Sequence, residues 1–272
     1  MLRHPLVVLA TTLHLRWLND GPESPLMATA TPNGPLVPMR IASALWTSLA
    51  SWRMAAALGT QGISGTDIYK MIVEELEAIQ PSGSVLDYGA GVGNLTQLLL
   101  AMNTFDEVVG ADLMSKPTDM AAGWVSGDLN DTLPGHDDHF NLVIASEVIE
   151  HLENPRFTAR ELYRLCSPGG HVIVTTPNNE SIRSLLSLVM RGHFVHFNKG
   201  WYPGHITALL RKDLLRILIE AGFEPLGFRY SANGSLPGFP THTWQEISFG
   251  KLGGLRFSNN LLIAARKPDL PA

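Results

Sequence analysis

Ser84-Val85-Leu86-Asp87-Tyr88-Gly89-Ala90-Gly91-Val92-Gly93-Asn94-Leu95-Thr96 decides the fold of this 272-residue chain. A short apolar run ends in an acid, three glycines follow at alternate positions, and a helical pattern begins at once. That order predicts a strand, a tight turn and a helix N-terminus, a standard place to hold an adenosine-containing ligand. A side chain on such a turn would keep the backbone away from the ligand, and the turn itself often needs positive φ.

The details narrow the ligand. A dinucleotide site carries G-x-G-x-x-G, with the pyrophosphate against the helix N-terminus. Gly89 and Gly91 supply two of those glycines, but Asn94 stands where the third belongs. Asp87 would repel a pyrophosphate and would suit a ligand that carries a cation and no phosphate. S-adenosylmethionine is such a ligand. The stretch Asp87-x-Gly89-x-Gly91-x-Gly93 resembles the first motif of the class I SAM-dependent methyltransferases.

Downstream segments continue the pattern. Glu107 to Asp112 reads as a second strand, with its terminal acid about 20 residues past the glycine loop, where an acid accepts hydrogen bonds from ribose hydroxyls. Trp124 to Leu129 reads as a short third strand with Asp128 just past it, Phe140 to Ser146 as a buried fourth, and Gly169 to Asn178 as a fifth. The resemblance implies a doubly wound α/β fold, with a mostly parallel seven-stranded sheet and a final antiparallel strand. It implies a donor held by Asp87, Gly89, Ala90, Gly91 and Asn94 at the turn, with Asp112 and Leu113 after the second strand. Asp128 and Leu129 would meet the adenine, and Ser146 and Glu147 would close the site after the fourth strand.

Catalytic candidates lie just beyond that strand. Glu147, Glu150 and His151 stand three and four residues apart, which places them on one face if a helix begins there. His151, with Glu150, is the expected base or acceptor contact. Some metal-dependent O-methyltransferases carry a similar E-x-x-E-H run. A divalent cation completed by His193, His196 or His205 is therefore the alternative to the preferred metal-free site. The acceptor expected is a small molecule or saccharide methylated on oxygen. A NAD-dependent oxidoreductase and a non-catalytic SAM-binding partner protein are the rivals. Nucleic acid is not favoured: the net charge is −5, the N/D-P-P-Y/F signature is missing, and Arg156, Arg160 and Arg164 read as a solvated helix face.

Apolar residues make up 45% of the chain, enough for a core, and the single cysteine, Cys166, excludes an internal disulfide framework. A cytoplasmic setting is the expectation. Residues 1–60 read as a partly flexible extension, with a Pro/Gly/Ser/Thr-rich stretch at 20–38, a helical stretch at 40–60 bearing Trp46 and Trp52, and Met27 or Met39 as alternative starts. The apolar run Pro5–Leu13 is shorter than the about 20 residues of a membrane span. Residues 61–272 form the expected methyltransferase domain. An insertion at about 179–210, rich in His and aromatics, is expected to cover the acceptor or to pack back on the domain. A clean amphipathic helix follows at Asp213–Ala221, then strands at Phe223–Tyr230 and Asn260–Arg266, separated by a long loop.

Overall fold

A computed structural model describes residues 53–54 and 64–269. The expectations for the linker, the alternative starts, and Trp46 and Trp52 lie outside those residues. Helix α1 (Thr66–Ile79) buries Ile68, Met71, Ile72 and Leu76 along one stripe. Strand β1 (Gly83–Tyr88) follows, then helix α2 (Asn94–Met102), and strands β2 (Phe105–Asp112), β3 (Gly123–Ser126) and β4 (Phe140–Ser146). A 3-10 turn (Ile149–His151) leads into helix α3 (Pro155–Leu165), whose N-terminus is capped by the Asn154 side chain with a proline in the first turn. Strand β5 (Cys166–Pro177) is followed by helices α4 (Ile182–Arg191) and α5 (Arg211–Ala221), then by strand β6 (Glu224–Tyr230). The chain closes with strands β7 (Ser235–Leu236) and β8 (Phe239–Thr243), helix α6 (Trp244–Ser248) and strand β9 (Asn260–Arg266).

Seven strands form one sheet in the order β3-β2-β1-β4-β5-β9-β6. The pairs β1–β2, β1–β4, β2–β3 and β4–β5 are parallel, whereas β9 runs antiparallel to both β5 and β6. The expected architecture is therefore present. The chain winds outward from β1 through β2 to β3, then returns to the other side of β1 for β4. Ligands of open α/β sheets bind outside the strand carboxyl ends at such a reversal.

Alternation along β1 divides the core. Leu86 and Tyr88 join one cluster with Leu162 of α3 and Leu214 of α5, while Val85 joins a second with Ile72 of α1 and Leu95 of α2. Asp87, two residues from Val85, shares its face and points among α1 and α2. Removing a leucine from either cluster would cost roughly 2–5 kcal/mol.

Two expectations need correction. The long loop at Ser231–Ser258 contains the β7–β8 hairpin and α6; Thr243 and Glu246 form a reciprocal cap at the start of α6, a local signal that a reading based on glycine and proline passes over. No α-helix begins at Glu147 either. That residue has left-handed backbone, φ 56°, and only the 3-10 turn follows, so helical spacing does not govern which of its neighbours meet.

Candidate active site

The glycine turn is held from below by strand β2. The amides of Gly89 and Ala90 both donate to the Ala111 carbonyl, at 2.8 and 3.0 Å. Gly89, Gly91 and Gly93 all have positive φ. A Cβ at Gly89 would stand 2.3 Å from a methyl of Val148, the first buried residue past Glu147. Any larger residue there would have to displace the strand-end turn that carries the catalytic candidates. Gly93 caps α2 in left-handed backbone and without a side-chain hydrogen bond.

Three acids reach this edge, each with different partners. Asp112 bridges the turn to the loop after β2: Oδ2 accepts from Gly91 N and Oδ1 from Met114 N, both at 2.8 Å. A carboxylate oxygen has a second lone pair, so the ribose contact expected of Asp112 remains open. Asp128 closes an Asx turn on Asn130 and pairs with Arg53 at 2.7 Å. Burial works to raise its carboxyl, but the Asn130 and Arg53 donors outweigh that and hold it below 3.8. Asp87 is 1% exposed, and Oδ2 accepts the Thr96 hydroxyl of α2 at 2.6 Å. Burial pushes this carboxyl up to about 7, with Thr96 opposing and Asp112 adding to the rise.

The remaining cofactor candidates line the same edge. Ala90 and Leu129 are buried, Leu113 is half-buried and Asn94 is exposed. The Ser146 hydroxyl stands 3.4 Å from that of Thr175 and 3.3 Å from that of Ser64. Glu147 takes its amide to Thr175 Oγ1 and its Oε2 to Asn260 Nδ2 at 2.8 Å, while Oε1 has no partner. Burial lifts this carboxyl to about 7 despite those donors.

Beside it sits a cluster of Glu150, His151 and His205. Glu150 is fully buried; Oε2 accepts from Thr176 Oγ1 at 3.2 Å and Oε1 has no partner. Burial, reinforced by Glu147, drives its carboxyl well above the ordinary range. The Glu150 carbonyl accepts two amides, Ile206 at 3.0 Å and Thr207 at 2.9 Å, which binds the segment after α4 to the turn after β4. His151 Nδ1 stands 2.9 Å from the Gly204 carbonyl. A carbonyl only accepts, so Nδ1 carries the hydrogen and Nε2 keeps its lone pair. Burial lowers the His151 pKa from 6.5, leaving the ring neutral at neutral pH.

His205 meets His151 edge to face at 4.6 Å and packs against Trp201 at 4.9 Å and Phe197 at 5.5 Å. Its Nδ1 is buried without a partner, and burial lowers its pKa to about 3. Ligand atoms of Glu150, His151 and His205 lie within 4.8 Å of one another. Of the three histidines considered for this place, His205 is the one that joins; Glu147 is held aside by Asn260. An orphaned carboxylate oxygen beside two neutral imidazoles fits a divalent cation as well as a hydroxylated acceptor.

Arg53 was not foreseen. Besides Asp128 it reaches Glu153, at 2.8 Å, so it bridges the loop after β3 to the segment before α3. Nothing in its local sequence marks it, because its partners stand 75 and 100 residues away. The arginines of α3 answer a different need: Arg156 pairs with Glu220, and Arg164 with Glu161 and Asp137.

A doubly wound sheet with a glycine turn, a crown of acids and a 3-2-1-4-5 core defines a SAM-dependent methyltransferase. The methyltransferase-domain family matches residues 66–226, and the chain belongs to it. Among curated proteins it is 30% identical over 118 residues to a mitochondrial ubiquinone biosynthesis O-methyltransferase of Rattus norvegicus, covering 39% of this chain and 34% of that protein. It is 26% identical to the Aliivibrio fischeri ubiquinone biosynthesis O-methyltransferase over 54% of this chain and 70% of that one. The match thus spans about a third of the rat protein's length. A Bacillus halodurans structure described as a methyltransferase superposes with a TM-score of 0.54 at 20% identity, covering 75% of this chain and all of that one. The Burkholderia thailandensis 1,6-didemethyltoxoflavin-N1-methyltransferase, solved with S-adenosylhomocysteine, gives 0.52 at 16%, covering 88% and 95%. Identities that low speak for the fold alone.

Proposed function

We propose that the protein methylates a hydroxyl oxygen of a small-molecule acceptor. S-adenosylmethionine supplies the methyl group from its sulfonium: the acceptor oxygen bonds to the methyl carbon as the carbon–sulfur bond breaks, and the electron pair leaves with sulfur as S-adenosylhomocysteine. Alignment carries much of such a displacement. In this reading Gly89, Ala90, Gly91 and Asn94 present backbone to the donor, with Leu113 and Leu129 beside the adenine. Asp112 and Asp128 receive the ribose and adenine, and Ser146 and Glu147 close the site. Asp87 lies beneath the turn and lends negative charge to a cationic donor.

One observation carries the choice of oxygen: His151 is neutral, with Nδ1 turned to the Gly204 carbonyl, so that Nε2 is the ring nitrogen left to take a hydroxyl proton. The O-methyltransferases among the curated relatives support it. Glu150 acts through the backbone, since its carbonyl holds Ile206 and Thr207 over the cleft. The reading predicts methyl transfer from labelled SAM to catechols or hydroxybenzoates, and a loss of at least about a hundredfold in kcat for His151→Ala with unchanged SAM affinity. Transfer only to amines, or full turnover by the variant, would overturn it.

The unpartnered atoms of Glu150 and His205 favour a second reading, in which Glu150, His151 and His205 hold a divalent cation. Such an ion would polarise the acceptor hydroxyl.

A further inference from the structure

We propose that the exposed apolar face of α4, with the aromatic and basic segment that follows it, docks on an anionic lipid bilayer surface. Helix α4 is amphipathic in the wrong sense for a soluble core. The side chains it buries are Ser184 and Ser187, whereas Leu186 is 45% exposed, Val189 77% and Met190 75%. At 100° per residue, Leu186 and Val189 lie opposite the two serines with half-buried Ile182 and Leu185 along the same stripe, and Met190 borders it.

The helix does not owe this exposure to loose ends. Ser181 accepts the Ser184 amide, Ile182 N donates to the Arg256 carbonyl at 3.0 Å, and Gly192 closes the C-terminus in left-handed backbone. Ser184 Oγ also receives the Val195 amide, which secures the following segment on the buried side. Scattered surface leucines need no explanation, but a contiguous apolar stripe on a firmly held helix implies a covering partner.

Charge selects that partner. From Ile182 to Ala208 the chain carries Arg183, Arg191 and Lys199 and no carboxylate, in a protein whose net charge is −5. None of the three cations has an ion pair among the described residues, and Arg191 and Lys199 are exposed. Trp201 and Tyr202, 44% and 60% exposed, lie in the same segment. Apolar side chains flanked by unneutralised cations and amphipathic rings meet the needs of an anionic headgroup layer. A two-fold contact with a second copy would bring the same unpaired cations together.

Topology adds an independent reason. Helix α4 leaves the carboxyl end of β5, and the β7–β8–α6 segment leaves that of β6, which runs parallel to β5. That second segment exposes Phe239, Ile247 and Phe249. Both apolar displays therefore rise from the sheet edge that carries the cleft. Among the described residues no helix is long and apolar enough to cross a membrane, so contact would be with the surface. The inference does not depend on the acceptor's identity.

The test is co-sedimentation of the full chain with vesicles of phosphatidylcholine alone, or with roughly one third phosphatidylglycerol. The protein should sediment with the anionic vesicles and be released by salt. Val189→Ser with Met190→Ser should weaken binding by at least about tenfold. Arg191→Gln with Lys199→Gln should weaken it by about 25-fold, roughly fivefold per cation. Both double variants should keep the wild-type unfolding midpoint and S-adenosylhomocysteine affinity. The proposal fails if the wild type ignores anionic vesicles, or if either folded variant binds them as well as the wild type. It also fails if sedimentation equilibrium shows a dimer that the Val189/Met190 variant dissociates while vesicles go unbound.

Discussion

Replacing Asp87 by Asn separates what this carboxylate does for stability from what it does for the donor. Asn keeps an oxygen for the Thr96 hydroxyl and nearly the same volume, so the packing against α2 survives. The folded-state pKa is raised, from 3.8 to about 7, which means that the folded protein binds the proton more tightly than the unfolded chain. The associated stability is fully present below about pH 4, falls through the window up to about pH 7, and is lost above it. A gap of that size corresponds to about 4 kcal/mol at most. Glu147, also raised to about 7, and Glu150, raised further, slope the wild-type profile the same way, so only the difference between variant and wild type isolates Asp87. Urea unfolding at intervals from about pH 4 to about pH 8 should show Asp87→Asn gaining on wild type by up to about 4 kcal/mol. Its affinity for S-adenosylhomocysteine, which keeps the ammonium, should nonetheless fall. Wild-type affinity should rise with pH up to about 7 as the carboxylate ionises, and the variant's should not. A flat difference profile would refute the buried, proton-linked carboxyl; undiminished affinity would refute its link to the donor.

Other outcomes follow from neighbouring contacts. Asp112→Ala releases the amides of Gly91 and Met114 and removes the ribose acceptor; calorimetry should show S-adenosylhomocysteine affinity reduced about a hundredfold, with about 1–3 kcal/mol lost in stability. Treatment with a chelator should leave turnover intact if His151 acts as base; loss of turnover restored by magnesium, and abolished in His205→Ala, would establish the cation reading instead. Lys267→Met leaves the Tyr163 and Cys166 carbonyls and Asp138 without their shared donor, so thermal unfolding should register a loss of about 2–4 kcal/mol without change in cofactor affinity. Gly89→Ala, forced against Val148 at positive φ, should cost about 1–3 kcal/mol and weaken cofactor binding together.

Local pattern determined the sheet and the turn. The apolar runs at Val85–Leu86 and Leu142–Ala145 have one stable use, as buried parallel strands, and glycines at 89, 91 and 93 leave little besides a tight bend before α2. The place of Asp112 at the end of β2 was legible because its distance from the turn is fixed by one strand–helix–strand unit. Tertiary structure alone decided the rest. Glu147 adopts left-handed backbone where Thr175 and Asn260 hold it, so the E-x-x-E-H spacing did not translate into a helical face. His205 joins His151 because Ile206 and Thr207 dock on the Glu150 carbonyl more than 50 residues upstream, and Arg53 finds Asp128 across 75 residues. Short-range sterics write themselves into sequence as periodicity and glycine; contacts between distant segments leave no such trace, because their partners become neighbours only once the sheet has formed.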